Sequence, residues 1–424
     1  MKSSNVVRTL FLIKQNHSLY PPIGGASLRN WQNISVMMEL GPVAVFFLVS
    51  ETTKNIDIPP GLAMWNVKPV KENKLVGRDK LNQRLQQLKS LITRGHPFTD
   101  TSSVCSPELV LELKRTLDEF KPDLIIFSQT FLGFYLPILK GYPCKLILDA
   151  HNAETELFRE TIKLKPVKGL KEKIRTRIEI IKTEVIEREL LQETDQVWTC
   201  SKQDIVSLQK LCKKTIKANV IPNGADSDYY SDVRANQCKL PDGFNPSPYT
   251  LLFPAIFDYE PNSQAARLLI DDIYPQLKKL YPESQLLLIG AKPTQYMLEA
   301  AEKDLSIIVT GRVPDMRPYF MATSIVIVPL LKGSGTRLKI LEAFASCRPV
   351  VSTPKGAEGI NAVNGEHLLI GNTTEELVNN VSKIWADKDL SQRLAQSAYE
   401  LFDRGYSWKA VGKKVSQAIE TLEF

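Results

Sequence analysis

The sequence predicts an α/β chain built from two doubly wound parallel sheets, each covered by helices. Three observations carry this. Short runs rich in Val, Ile, Leu and Phe alternate with longer amphipathic stretches, which is the pattern of βαβ units. The alternation breaks at a polar stretch in mid-chain and then restarts. The length, 424 residues, suits two or three domains.

Residues 6–13 read as the first strand, and residues 15–25 as a loop rich in Pro and Gly. Residues 26–40 read as a helix with Leu28, Trp31 and Met38 on one face. Buried strands follow at 43–49, 124–127 and 145–148. Residues 226–248, rich in Asp, Ser, Asn, Gly and Pro, read as a linker. Beyond it come a strand at 250–254, a helix at 263–281, and strands at 285–289, 307–310 and 325–329. A helix at 335–346 and a strand at 350–352 complete the pattern. Two such halves are expected to leave a cleft, with ligands at the carboxyl ends of the strands.

Composition narrows the function classes. With 43% hydrophobic and 24% charged residues, the chain is globular rather than disordered. A formal charge of +7 is too mild for a dedicated nucleic-acid binder, so no nucleic-acid partner is expected. Six cysteines are scattered without a CxxC pair and read as reduced thiols, with no metal site. The amino terminus lacks a signal-peptide cleavage site, and no apolar run reaches the roughly 18 residues that span a bilayer. The expected location is cytoplasmic. Residues 163–182 carry eight cations against Glu172 and Glu179. That segment reads either as a solvated helix face or as a peripheral contact with the inner membrane face.

The most informative stretch runs from Ile325 to Ile360. A buried strand ends at Pro329, the loop Lys332-Gly333-Ser334-Gly335-Thr336 follows, and a helix begins. Backbone N–H groups at a positive helix end suit a phosphate, and glycines allow close approach. Arg337 and Lys339 add cations, and Arg can hold phosphate oxygens in a fork. Glu342, within the helix, is an acceptor that matches a ribose diol. His151 follows a buried strand at its carboxyl end, which points it at the cleft; the alternative is a structural histidine beside a helix cap at Asn152. Glu154 and Glu156 suit a helix amino terminus for dipole reasons alone. The other three histidines, His17, His96 and His367, read as surface or loop residues.

Taken together, these strings resemble retaining glycosyltransferases of family four, the group 1 transferases of GT-B fold. Gly333-Ser334-Gly335-Thr336, Leu341-Glu342-Ala343 and Arg348-Pro349-Val350-Val351 carry the resemblance. The wording around them looks like a branch found among bacterial polysaccharide-building enzymes. Thr310-Gly311-Arg312-Val313-Pro314-Asp315 resembles the loop set against the nucleobase. Ile221-Pro222-Asn223-Gly224-Ala225-Asp226 resembles the element before the second domain, and Thr199-Cys200-Ser201-Lys202-Gln203-Asp204 a further family segment. Asp149-Ala150-His151-Asn152-Ala153-Glu154 resembles the element that holds a cleft histidine. Gly24-Gly25 resembles the amino-terminal glycine loop.

The resemblance implies an acceptor-binding Rossmann-like domain at 1–225 and a nucleotide-sugar-binding one at 226–404. It further implies that the terminal helix, about 405–424, packs back on the first. It implies transfer of a sugar, with retention, from a nucleoside-diphosphate donor to a hydroxyl of a glycan or lipid-linked acceptor. The donor would be a substrate, with no cofactor and no metal. Implied donor-binding residues are Gly25, Arg312, Val313, Gly333, Ser334, Gly335, Thr336, Arg337, Lys339 and Glu342; His151 is the implied catalytic residue, and Gly24 lies on the acceptor side.

Two departures stand out. Ser334 occupies the place of the first of two family glutamates. Residues 255–262 lack the basic pair that the family often uses for the diphosphate, and Arg337 with Lys339 are expected to take that role. These losses keep open a degenerate, non-catalytic nucleotide-sugar binder. A same-fold nucleotide-sugar epimerase is a further alternative. A dehydrogenase is disfavoured, because no G-x-G-x-x-G follows the first strand.

Overall fold

The computed structural model describes residues 6–15, 18–22, 24–51, 53, 56–70, 106–164, 169–333 and 337–424. The chain divides into two compact units, Met1–Pro222 with Gly412–Phe424, and Asn223–Val411.

The first unit is a seven-stranded parallel sheet. Its strands are β1 (Thr9–Lys14), β2 (Val43–Ser50), β3 (Met64–Val70), β4 (Leu124–Phe127), β5 (Lys145–Ala150), β6 (Gln196–Thr199) and β7 (Ala218–Val220). Their spatial order is β3-β2-β1-β4-β5-β6-β7. Strands β1 and β2 are buried almost throughout, as expected of strands with helices on both faces. Helices include α1 (Gly25–Leu40), α2 (Pro107–Phe120), α3 (Glu154–Leu164), α4 (Leu170–Glu193) and α5 (Lys202–Gln209). Strand β3 did not stand out in the sequence. It is an edge strand carrying Pro69, and its pairing with β2, not its own pattern, makes it a strand.

The second unit is a six-stranded parallel sheet of β8 (Thr250–Pro254), β9 (Gln285–Ile289), β10 (Ile307–Val309), β11 (Ile325–Val328), β12 (Val350–Ser352) and β13 (Leu369–Ile370). Their order is β10-β9-β8-β11-β12-β13. Its helices include α6 (Glu260–Leu268), α7 (Tyr274–Leu280), α8 (Gln295–Lys303), α9 (Arg317–Ala322), α10 (Leu338–Ala345), α11 (Thr374–Ala386) and α12 (Lys388–Gly405). A last helix, α13 (Trp408–Glu420), carries the chain back to the first unit. There Gln196 Nε2 donates to the carbonyl of Ala418 at 2.8 Å and to Thr421 Oγ1 at 2.7 Å.

Three expectations need correction. The helix expected at 263–281 is present as an unbroken helical run from Glu260 to Leu280, but it is not regular throughout: α6 passes through a π-helical turn at Leu269–Ile273 into α7. Pro275 has no N–H to donate and its ring crowds the preceding turn, so the ladder shifts register before it. Residues 226–248 are not a mere linker. They contain a short helix, Ser231–Arg234, and bury Tyr230 and Val233 in the second core. Arg234 Nη1 donates to the carbonyl of Ala345 at 2.6 Å, closing the end of α10. His367 is in a loop but buried; its Nδ1 accepts from the Val363 N–H at 3.0 Å, a structural role. His17 and His96 lie outside the described residues.

Gly290, just past β9, adopts φ +145°, and a Cβ there would stand 1.9 Å from the carbonyl oxygen of Ala255. This close approach sets the path of the loop after β8. Gly290→Ala is therefore expected to cost about 1–3 kcal/mol in chemical denaturation, with the loop displaced. An unchanged denaturation midpoint would show that the contact is easily relieved.

Candidate functional site

In both sheets the strand order reverses next to the first strand of the unit. It does so between β1 and β4 in the first, and between β8 and β11 in the second. Loops leaving adjacent strands in opposite directions open a crevice at their carboxyl ends. Of the sequence-predicted residues, Gly24 lies on the loop after β1 and Gly333 and Arg337 on the loop after β11, while Lys339 and Glu342 lie in the helix that follows it, His151 after β5, and Arg312 and Val313 after β10.

In the second unit, β8 leads through residues 255–259 into α6, and β11 leads through residues 329–337 into α10. Ser334, Gly335 and Thr336 lie outside the described residues. Gly333 has φ +108°, where glycine is favoured. A Cβ there would lie 3.2 Å from the Tyr259 hydroxyl and 3.3 Å from Arg337 Nη2. Arg337, at the amino-terminal cap of α10, is buried, and burial lowers its pKa against the opposing pull of Tyr259 and Glu358. Lys339 Nζ donates to Asn262 Oδ1 at 3.1 Å and sits 4.2 Å from the centre of the Phe253 ring. Asn262 in turn donates from Nδ2 to the carbonyl of Ile256 at 2.8 Å. Arg337 thus faces Tyr259 on the loop after β8, and Lys339 reaches Asn262 in the first turn of α6 and the Phe253 ring of β8. Burial, then repulsion from Arg337, pushes the Lys339 pKa down to about 7.

Glu342 is held in the same buried cluster. Burial raises its carboxyl above the usual range, although the Tyr230 hydroxyl and Lys339 both pull the other way. Tyr230 is buried, and its own pKa lies well above that of an ordinary phenol, chiefly through burial and then through Glu342. The rings of Tyr229 and Tyr230 meet edge-on with centroids 5.1 Å apart. Tyr229 Oη donates to Asp315 Oδ1 at 3.0 Å, and the Arg317 guanidinium lies 4.5 Å above the Tyr229 ring. Arg317 also pairs with Asp315 at 2.8 Å and with Asp232 at 3.1 Å. The segment 226–248 therefore links the loop that bears Arg312 and Val313 to Glu342. Arg312 itself is exposed and Val313 half-buried, on the loop after β10, two strands from β8. Gly333, Arg337, Lys339 and Glu342 come together; Arg312 stands apart from them.

In the first unit, Gly24 (φ +87°) caps α1 and Gly25 opens it, directly after the loop that follows β1. The carbonyl of Gly24 accepts from the Leu28 N–H at 3.0 Å and from Ser27 Oγ at 3.1 Å. His151 follows β5, with Nε2 3.5 Å from Asp149 Oδ2. Asp149 is fully buried against Arg29, whose Nε donates to Oδ1 at 2.9 Å, while Asn33 Nδ2 donates to Oδ2 at 2.9 Å. Arg29 also donates from Nη1 to the carbonyl of Ile221 at 2.6 Å. Burial works to raise the Asp149 pKa, but the Arg29 charge and the His151 contact outweigh it and hold it low. Arg29 is raised despite burial, by the same carboxylate.

Glu187 of α4 caps α3, accepting from the N–H of Glu154 at 2.9 Å and of Thr155 at 3.1 Å. Asn152 Nδ2 instead donates to Glu154 Oε1 at 3.2 Å. The cap that the sequence placed at Asn152 is thus supplied by a carboxylate from a distant helix.

Sequence reading missed Arg29, Asn33, Tyr230, Asn262 and Glu187. The polar run Arg29-Asn30-Gln32-Asn33 within a helix was a signal, since buried polar groups need partners. For Tyr230 and Asn262 no local signal existed.

Among known families, residues 248–387 match the model described as Glycosyl transferases group 1. The chain is 24% identical over 169 residues to the Lipopolysaccharide 1,2-N-acetylglucosaminetransferase of Salmonella typhimurium, covering 36% of this chain and 44% of that protein. The match therefore spans less than half the length of that relative. Two solved structures share the fold over nearly the whole chain. Sucrose-phosphate synthase from Thermosynechococcus elongatus superposes with TM-score 0.68 at 17% identity, covering 98% of both chains. Anabaena HepE, solved in complex with UDP-glucose, gives TM-score 0.65 at 14% identity, covering 98% of this chain and 100% of that one. The chain has the GT-B fold of two Rossmann-like α/β units, and its residues 248–387 match a group 1 glycosyltransferase domain.

Proposed function

We propose that the second unit binds a nucleoside-diphosphate sugar between the loops after β8 and β11, and that the chain transfers the sugar to a hydroxyl acceptor with retention. The observation that carries this is the convergence of Arg337 and Lys339 on Gly333, Tyr259 and Asn262 at the strand-order reversal. A diphosphate there would meet two cations and the amino end of α10. Glu342, steadied by Tyr230, would accept from the ribose diol. These groups supply the neutralising charge, so the reading needs no metal. Positioning and electrostatics would supply most of the catalysis, with His151 binding a sugar hydroxyl and no covalent nucleophile assigned. The group 1 match and the UDP-glucose bound by HepE support a nucleotide sugar as donor. The lipopolysaccharide enzyme among the relatives supports a glycan or lipid-linked acceptor.

A second reading, a nucleotide-sugar binder without turnover, draws on Ser334 standing where a glutamate is usual. One experiment separates the two. A panel of nucleotide sugars is screened for thermal stabilisation, and the stabilising donor is then incubated with candidate acceptors. At a hundred times Kd, a true donor stabilises by about 2.7 kcal/mol. Product with the donor's anomeric configuration, by NMR, supports transfer with retention. His151→Ala should keep the stabilisation and lose about 10²-fold in turnover. Stabilisation without any product supports the binder, and stabilisation by no donor sinks both readings.

A further inference from the structure

We infer that helix α4 docks the first unit on an anionic lipid surface through its solvent-facing isoleucines. Ile174, Ile178 and Ile181 recur at helical spacing on one stripe and are 52%, 38% and 49% exposed. A helix that packs on a core normally turns its isoleucines inward. Here the inward face is already provided for: Ile186, Glu187 and Leu190 are buried farther along the helix, and Glu187 caps α3. The isoleucine stripe lies on the far side of the helix from those groups.

The charge around the stripe selects the occupant. Lys173 and Arg177 are exposed in the same turns as Ile174 and Ile178, within a sequence segment, 163–182, that carries eight cations against two carboxylates; Lys163, Lys165, Lys168, Lys171 and Arg175 have side chains outside the described residues. Lys182 is not part of this face; it is buried and donates to Glu179 Oε1 at 3.3 Å. An aliphatic stripe flanked by cations fits the boundary between lipid headgroups and acyl chains, where isoleucine enters and Lys and Arg stay with the phosphates. Nucleic acid would use the cations but leave the isoleucines in water. Among the described residues no helix is long and apolar enough to cross a membrane, so the contact would be peripheral. This inference stands apart from donor binding in the second unit.

The test is flotation of the full chain with phosphatidylglycerol–phosphatidylcholine vesicles and with pure phosphatidylcholine vesicles, at low and high salt. The wild type should float with the anionic vesicles, and added salt should weaken this. Ile174→Ser with Ile178→Ser should lower the partition coefficient about tenfold or more, with an unchanged melting temperature. Lys173→Glu with Arg177→Glu should abolish the preference for anionic vesicles. Three outcomes overturn the inference. They are no flotation of the wild type, flotation of both variants equal to that of the wild type, or a concentration-dependent dimer by light scattering that the Ser variant abolishes. The last would assign the stripe to a second copy of the chain.

Discussion

Replacing Arg337 or Lys339 with Ala is expected to weaken nucleotide-sugar binding about 10- to 100-fold each. A charge-assisted hydrogen bond is worth about 1.5–3 kcal/mol net, and the cations would share one diphosphate. For that reason the double variant should lose less than the sum of the singles. Lys339 adds a pH signature. With its pKa lowered to about 7 by burial and by Arg337, it is largely neutral in the free protein at pH 8. A diphosphate would demand the charged form, so binding would take up a proton. Donor affinity should therefore fall as pH rises above about 7, by up to about tenfold per unit.

Stability of the free protein should move the other way. Above pH 7 the unfolded chain holds the Lys339 proton and the folded chain does not, so this group makes stability rise with pH until the unfolded lysine titrates. Titration calorimetry in buffers of different ionisation enthalpy would show uptake of about one proton at pH 8, absent in Lys339→Ala. Affinity that is unchanged in both single variants and flat with pH would remove these residues from the donor site.

Arg29→Met is expected to be the most damaging single change in the first unit, at about 3–5 kcal/mol. It leaves the Asp149 carboxylate buried without its cation, and losing one partner of a buried pair costs far more than the pair contributes. The pH dependence again carries a sign. In the wild type Asp149 is held below its ordinary pKa, so its contribution is present above that value and is lost only as pH falls through the folded pKa. In Arg29→Met burial dominates and the Asp149 pKa rises. The variant should then regain stability on acidification, over a range where the wild type does not. Melting curves between pH 5 and pH 8 would show this crossing. Parallel curves would mean that Asn33 and His151 suffice to hold the charge. Since His151 stands 3.5 Å from Asp149, the same variant should also lower turnover through a misplaced imidazole.

The sequence by itself determined the α/β class and most of the strands. Runs such as Leu124–Phe127 and Gln285–Ile289 are buried on both faces and can scarcely be anything else. It also determined the loops on which Gly24, His151 and Gly333 stand, because strand-loop-helix junctions announce themselves by glycine and by a change of period; Arg337, read as inside a helix from 335, instead caps one that begins at Leu338. The tertiary structure decided who meets whom. Tyr230 reaches Glu342 from a stretch that reads as a polar linker, 112 positions away in sequence, and Asn262 takes the Lys339 ammonium across 77. Arg29 and Asp149 pair across 120 positions. The Lys339–Asn262 contact arises where strand order reverses and the connections after β8 and β11 leave the sheet side by side. Hydrophobic period encodes local structure. The partners of a buried charge are set by the desolvation cost it would otherwise carry, and that cost exists only once the chain has folded around it.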